Sequence, residues 1–152
     1  HQVDNLQYFL GPVKNVFSYS KSVKPDTDLE DVTVTLLEFE SGSFGYLGSN
    51  MLTPKVFYAR VYGTEGNAIA ENEGTRITLW GKDNSELVEE FEVSGDPVTA
   101  PLVAEISDFA QSIIQDYTPE VDGVVGLRNS AVLEAIILSS REKRIVTIEE
   151  LY

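Results

Sequence analysis

Pro101–Leu151, PLVAEISDFAQSIIQDYTPEVDGVVGLRNSAVLEAIILSSREKRIVTIEEL, decides how the chain must fold. Pro101 suits the first turn of a helix, where its missing N–H would have no partner anyway. From there Leu102, Ile106, Phe109, Ile113 and Tyr117 recur every three to four residues, with Val103, Ala110 and Ile114 widening the stripe. Pro119 is expected to end this helix, because the residue before a proline is pushed out of helical geometry. A second helix is expected from Asp122-Gly123 through the apolar run Ala131 to Leu138, whose wide apolar arc predicts a largely covered element. Arg141, Lys143 and Arg144 gather at its C-terminal end, where they suit the helix dipole and read as a solvated helix end. Ile145 to Ile148 has strand composition.

Working back from there, the chain is dominated by strands. Val13–Ser20, Asp31–Phe39, Phe44–Asn50, Lys55–Gly63, Asn67–Glu71, Thr75–Trp80 and Leu87–Val93 alternate or are β-branched. Most are separated by short turns, among them Ser41-Gly42-Ser43, Thr64-Glu65-Gly66 and Asp83-Asn84-Ser85. Lys21–Glu30, with Pro25 and Asp28, and Gly95–Thr99 read as loops. His1–Leu10 reads as the tail of a helix, with Val3, Leu6 and Leu10 on one face and Gly11-Pro12 as its stop. Short turns imply antiparallel pairing, and helices grouped late imply that they cover one face. The expected class is α+β: a single domain, residues 1–152, with an open, mainly antiparallel sheet and two long helices on one face. Tyr58, Tyr62 and Trp80 would leave the other face partly apolar, which points to a homo-oligomer.

Composition narrows function by exclusion. A net charge of −14 in 152 residues opposes binding to nucleic acid or to anionic membrane. No apolar run reaches the roughly 18 residues of a membrane span, and no secretory signal is present, so a cytoplasmic protein is expected. With no cysteine and one histidine, disulfides, thiolate chemistry and multi-histidine metal sites are excluded, and no metal is expected. No G-x-G-x-x-G is present; Gly42, Gly45 and Gly48 at three-residue spacing suit close packing. The absence of a start methionine and the opening inside a helix suggest a fragment.

Few residues offer chemistry. His1 and Asp4 stand at i and i+3, which places imidazole and carboxylate on one helix face. An imidazole can accept an alcohol proton at neutral pH. The alternative is an incidental histidine beside an ordinary helix carboxylate. Lys55 and Arg60 are candidate cations beside a polyol or anionic substrate, or simply charge on an exposed strand.

The order of segments resembles the C-terminal domain of the Gfo/Idh/MocA oxidoreductases, relatives of glucose–fructose oxidoreductase and inositol dehydrogenase. His1 to Gly11 is similar to that family's H-x-x-D-x-x-x-x-x-x-G. Val61 to Gly66 is similar to its strand and G-x-x-G turn. Glu105 with Phe109 resembles its first long helix, and Asp122-Gly123 through Ala135 and Ser139-Ser140 its second. The resemblance implies an N-terminal Rossmann domain, outside this chain, that binds NAD or NADP. It implies hydride transfer to or from a sugar, polyol or related hydroxy compound, with His1 as the catalytic proton carrier supported by Asp4. Asn50, Thr53 and Lys55 match where family members approach substrate. The family's partner aspartate, four residues before His1, and its lysine also lie outside this chain, so the chain alone is expected to bind no cofactor and to be inactive. The alternative is a non-enzymatic interaction module on the same fold.

Overall fold

In the computed structural model, a nine-residue helix, α1 (Gln2–Leu10), runs into the first strand through Gly11-Pro12. Gly11 adopts φ 86°, a left-handed value that glycine tolerates, and its N–H closes the helix on Gln7 O at 2.9 Å. The structure describes residues 1–24, 26, 29–92, 96 and 99–152, the side chain of residue 73 excepted. The loop readings at Pro25, Asp28 and Gly95 and the strand end at Val93 fall outside those residues. Two compact units form, residues 1–55 with 121–152 and residues 56–120.

The first unit holds β1 (Val13–Lys21), β2 (Val32–Phe39), β3 (Phe44–Asn50), α3 (Gly123–Glu142) and β8 (Val146–Thr147). Its antiparallel sheet has the order β3-β2-β1-β8. Strand alternation does what period two dictates. Val16, Leu37 and Phe39 turn inward, while Tyr19, Val34, Leu36 and Tyr46 turn outward and stay exposed. The core joins those inward residues to Val3 and Val13, to Ala131, Val132, Ala135 and Ile136 of α3, and to Val146 and Ile148. Gly45 has a packing reason, since a Cβ there would lie 2.9 Å from the Phe39 ring. Gly42, at φ 83°, makes the β2–β3 turn.

The helix α3 starts where Asp122 accepts hydrogen bonds from the N–H groups of Val124 (2.8 Å) and Val125 (2.9 Å). It ends on Lys143 in the left-handed conformation, with its N–H on Ser139 O at 2.9 Å. One face packs on β1. Leu127, Leu133 and Ile137 on the other remain exposed, so the helix is covered on one side where the sequence implied fuller cover. By length and composition alone α3 is also long and apolar enough to cross a membrane. Serines and glycines interrupt its apolar residues, so no unbroken apolar run marks it in the sequence. Its buried face here belongs to the core.

Beyond Val16, β1 has outrun β8, and its outward amides need other partners. The helix supplies them. Ser18 N–H donates to Ser139 Oγ at 2.9 Å, and Ser20 N–H to Ser140 Oγ at 2.7 Å. Ser139 Oγ in turn donates to Arg144 O at 2.6 Å.

The second unit holds β4 (Tyr58–Tyr62), β5 (Gly66–Glu71), β6 (Arg76–Gly81) and β7 (Glu86–Glu90), an antiparallel meander in the order β4-β5-β6-β7, and α2 (Thr99–Gln115). The strands therefore divide between two four-stranded sheets. The register puts Tyr58, Arg60, Tyr62 and Trp80 on one face and Ala59, Val61, Ala68 and Leu79 on the other. Pro101 sits in the first turn of α2 as expected. The helix stops at Gln115, four residues before Pro119, because Asp116 turns left-handed (φ 55°) and the Tyr117 hydroxyl folds back to donate to Asp108 Oδ1 at 2.7 Å. Among the described residues α2 buries only Ser112, and Leu102, Ile106, Phe109 and Ile113 are exposed.

Candidate functional site

The chemistry-bearing residues of the first unit gather on α1 and at the end of β3. His1 is the N-cap of α1, and its carbonyl accepts from Asn5 N–H at 3.0 Å. Its side chain caps nothing, so the imidazole is not tied to the helix end. Asp4 lies one turn on, in the first turn of the helix, where a carboxylate suits the helix dipole. Among the described residues no hydrogen bond joins His1 to Asp4. Instead Asp4 Oδ1 accepts from Asn129 Nδ2 of α3 at 2.7 Å.

That bond is the end of a relay. Asn129 Oδ1 accepts from Gln7 Nε2 at 2.7 Å, and Gln7 Oε1 accepts from the backbone N–H of Val13 at 3.2 Å. A backbone N–H can only donate, so Val13 fixes which way each amide faces and leaves a donor aimed at Asp4. The relay joins α1, α3 and β1. The sequence alone gives Gln7 and Asn129 no role; its one signal is the i, i+3 spacing of Asp4 and Gln7, which puts both on one helix face.

The second group, Asn50, Thr53 and Lys55, is exposed. Asn50 ends β3, and its Oδ1 accepts from Leu52 N–H at 2.9 Å, which shapes the departing chain. Thr53 lies in the bend that follows, and Lys55 closes the unit. A buried acid that sequence reasoning passed over, Asp31, anchors this end of the sheet. Its carboxylate accepts from Val23 N–H and Lys24 N–H, each at 2.8 Å, and its carbonyl accepts from Met51 N–H at 2.9 Å. Burial pushes the Asp31 carboxyl up, but those two N–H groups and the Lys24 charge outweigh it and hold it below the usual carboxylate range. His1 with Asp4, and Asn50 with Thr53 and Lys55, thus sit on separate elements, although α1 packs against β3.

Arg60 belongs to the second unit, on edge strand β4. Its guanidinium lies 5.1 Å from the centre of the Tyr58 ring, and a hydrogen bond with Tyr62 raises its pKa further. Arg144 of the basic cluster is engaged by carboxylates, with 2.9 Å to Glu150 Oε2 and a second pair to Glu142. Among the described residues no group of three or more His, Cys, Asp or Glu is placed to hold a metal ion.

The model of the Gfo/Idh/MocA oxidoreductases described as "Oxidoreductase family, C-terminal alpha/beta domain" matches residues 1–148. The chain belongs to that family. As a Gfo/Idh/MocA C-terminal domain it is similar to a protein of Desulfitobacterium hafniense assigned as an NADPH-dependent oxidoreductase. Identity there is 33% with a TM-score of 0.86, over 99% of this chain and 46% of that one. An oxidoreductase from Agrobacterium radiobacter, in complex with NAD+, L-tartaric acid and magnesium, shares the fold at TM-score 0.88 and 19% identity, over 100% of this chain and 48% of that one. A levoglucosan dehydrogenase in complex with NADH and levoglucosan does so at 0.84 and 16%, over 95% and 47%. This Gfo/Idh/MocA chain thus spans about half the length of the solved structures it matches. No curated protein gives a significant match.

Proposed function

We propose that this chain is the substrate-binding and oligomerisation domain of a cytoplasmic NAD(P)-dependent oxidoreductase that acts on a CH–OH group of a sugar, polyol or related hydroxy compound. The observation that carries the reading is His1 at the head of α1, with Asp4 one turn behind it held by Asn129. Similar solved structures support it: a levoglucosan dehydrogenase holds NADH with levoglucosan, and an aldose-aldose oxidoreductase from Caulobacter crescentus holds glycerol.

The nicotinamide cofactor supplies the hydride acceptor or donor. No residue of this chain is assigned to hold it, since the chain has no glycine fingerprint. The chain's own part is proton handling and orientation. The His1 imidazole takes the hydroxyl proton of an alcohol, or returns it to a carbonyl. Asp4, fixed on one oxygen by Asn129, holds the turn behind His1 in place. Asn50, Thr53 and Lys55 offer amide, hydroxyl and ammonium donors to substrate hydroxyls. The exposed outer faces, with Tyr19, Leu36 and Tyr46 in the first unit and Tyr58 and Tyr62 in the second, support assembly with further copies.

In the full-length protein, His1→Ala should lower turnover by about 10² or more while leaving cofactor binding and oligomeric state intact. Steady-state kinetics with a panel of sugars and polyols, beside a cofactor titration, checks this. Unchanged turnover would remove His1 from the mechanism and leave an interaction module on the same fold.

A further inference from the structure

We infer that Asn129 is the positioning residue that aims His1, an inference that rests on the oxidoreductase reading above. His1, Asp4 and Gln7 follow one another at intervals of three along α1, so all three lie on neighbouring positions of one side of the helix. Asn129 grips two of them at once, donating to Asp4 Oδ1 and accepting from Gln7 Nε2, both at 2.7 Å. Two grips one turn apart fix how far the helix is rotated about its axis, which a single bond would not. His1 follows that rotation, because its carbonyl is already bound to Asn5 N–H at 3.0 Å.

The polarity of the relay is set at its far end. Val13 N–H requires an oxygen from Gln7, which turns the Gln7 amide so that it donates to Asn129, which in turn presents its own donor to Asp4. Asn129 is therefore matched to an acceptor at position 4 and a donor at position 7. Leucine would keep its volume and lose both grips. Aspartate could accept from Gln7 but would set two carboxylates against each other. In Asp4→Asn with Asn129→Asp, position 129 again accepts from Gln7 and now accepts also from the amide at position 4. Both grips return with the charge moved.

The test uses the full-length protein with NAD+ or NADP+ and a panel of sugars and polyols including glycerol and levoglucosan. Asn129→Leu should lower kcat about 10- to 100-fold, as a misplaced reacting group does, with KM for the nicotinamide cofactor unchanged. Asn129→Asp should behave alike, and the double variant should recover most of the loss. The inference is overturned if Asn129→Leu loses thermal stability but keeps kcat within about twofold. It is equally overturned if the double variant regains its thermal midpoint without regaining kcat. Absence of turnover in the wild-type protein would count against the oxidoreductase reading alone. The positioning role is then read from the His1 imidazole signals in ¹H–¹⁵N spectra, assigned with His1→Gln. Those signals should move in Asn129→Leu and return in the double variant; signals that stay put overturn the inference.

Discussion

The two units of the chain are built from the same kind of strand but hold together differently. Every buried hydrophobic side chain among the described residues lies in the first unit, from Val3 through Phe39 to Ile148. In the second, the buried residues among those described are the polar Thr78 and Ser112. The first sheet has a helix docked on its inner face and serine hydroxyls on its edge, whereas the second is held by ladder hydrogen bonds and partly covered side chains. Pairing can set a sheet's register without a deep core; resistance to opening needs apolar area removed from water.

Core truncation should separate the units most. Phe39, 1% exposed, fills the centre of the first, so Phe39→Ala should cost about 3–5 kcal/mol in denaturant unfolding. Leu79→Ala, at a position 38% exposed in the second sheet, should cost about 1 kcal/mol or less. Equal losses would mean that the second unit buries Leu79 in solution. A smaller difference tests the edge. Ser139→Ala strands the buried Ser18 amide and should cost about 1–3 kcal/mol, with faster hydrogen exchange at Ser18 than at its neighbours. Undisturbed exchange there would show that another acceptor replaces the hydroxyl.

The smallest effect is electrostatic. Asp31 in the first unit and Asp83 in the second are both held below the usual carboxylate range. For Asp31 burial opposes this and the Lys24 and Val23 amides outweigh it; for Asp83 the Ser85 hydroxyl and amide are the cause. A carboxyl depressed in the folded state stabilises at pH above its unfolded value, about 3.9, and that contribution disappears as pH falls through the folded value. Thermal midpoints from pH 7 down to 2 should therefore fall less steeply for Asp31→Asn than for wild type. Asp83→Asn, at an exposed turn, should change the slope less. A reversed order would contradict the buried role of Asp31.

Much of this was readable in the sequence because its signals are local. The β2–β3 hairpin follows from Ser41-Gly42-Ser43 between β-rich runs, and the helix ending at Gly11 from glycine beside proline. The alternation that sets Tyr58 and Tyr62 on one face and Ala59 and Val61 on the other follows from period two. The division into two sheets was not readable. Strand signals continue through residues 55–93 without saying which strand pairs with which, and the 51–57 connection is long enough to leave β3 and β4 unpaired. The end of α2 differs from the expectation because Pro119 is the conspicuous breaker, whereas the actual stop is the left-handed turn at Asp116 secured by Tyr117 and Asp108.

The site divides the same way. His1 and Asp4 carry a short-range spacing that can be seen from the residues alone. Asn129 does not, because its partner Asp4 is 125 positions away and an asparagine within an apolar helix has no pattern of its own. Ser139 and Ser140 are similar: their place in the helix could be read, but not their task, since Ser18 and Ser20 lie some 120 residues earlier.

Those two hydroxyls bear on how the chain behaves in a crowded cell. A strand whose outward amides have no partner invites a strand from another molecule, and each addition exposes a new row for the next. On β1 the amides of Ser18 and Ser20 are already occupied by a helix, which cannot continue the row. The two serines thus deny a foothold to runaway strand addition at the point where β8 stops.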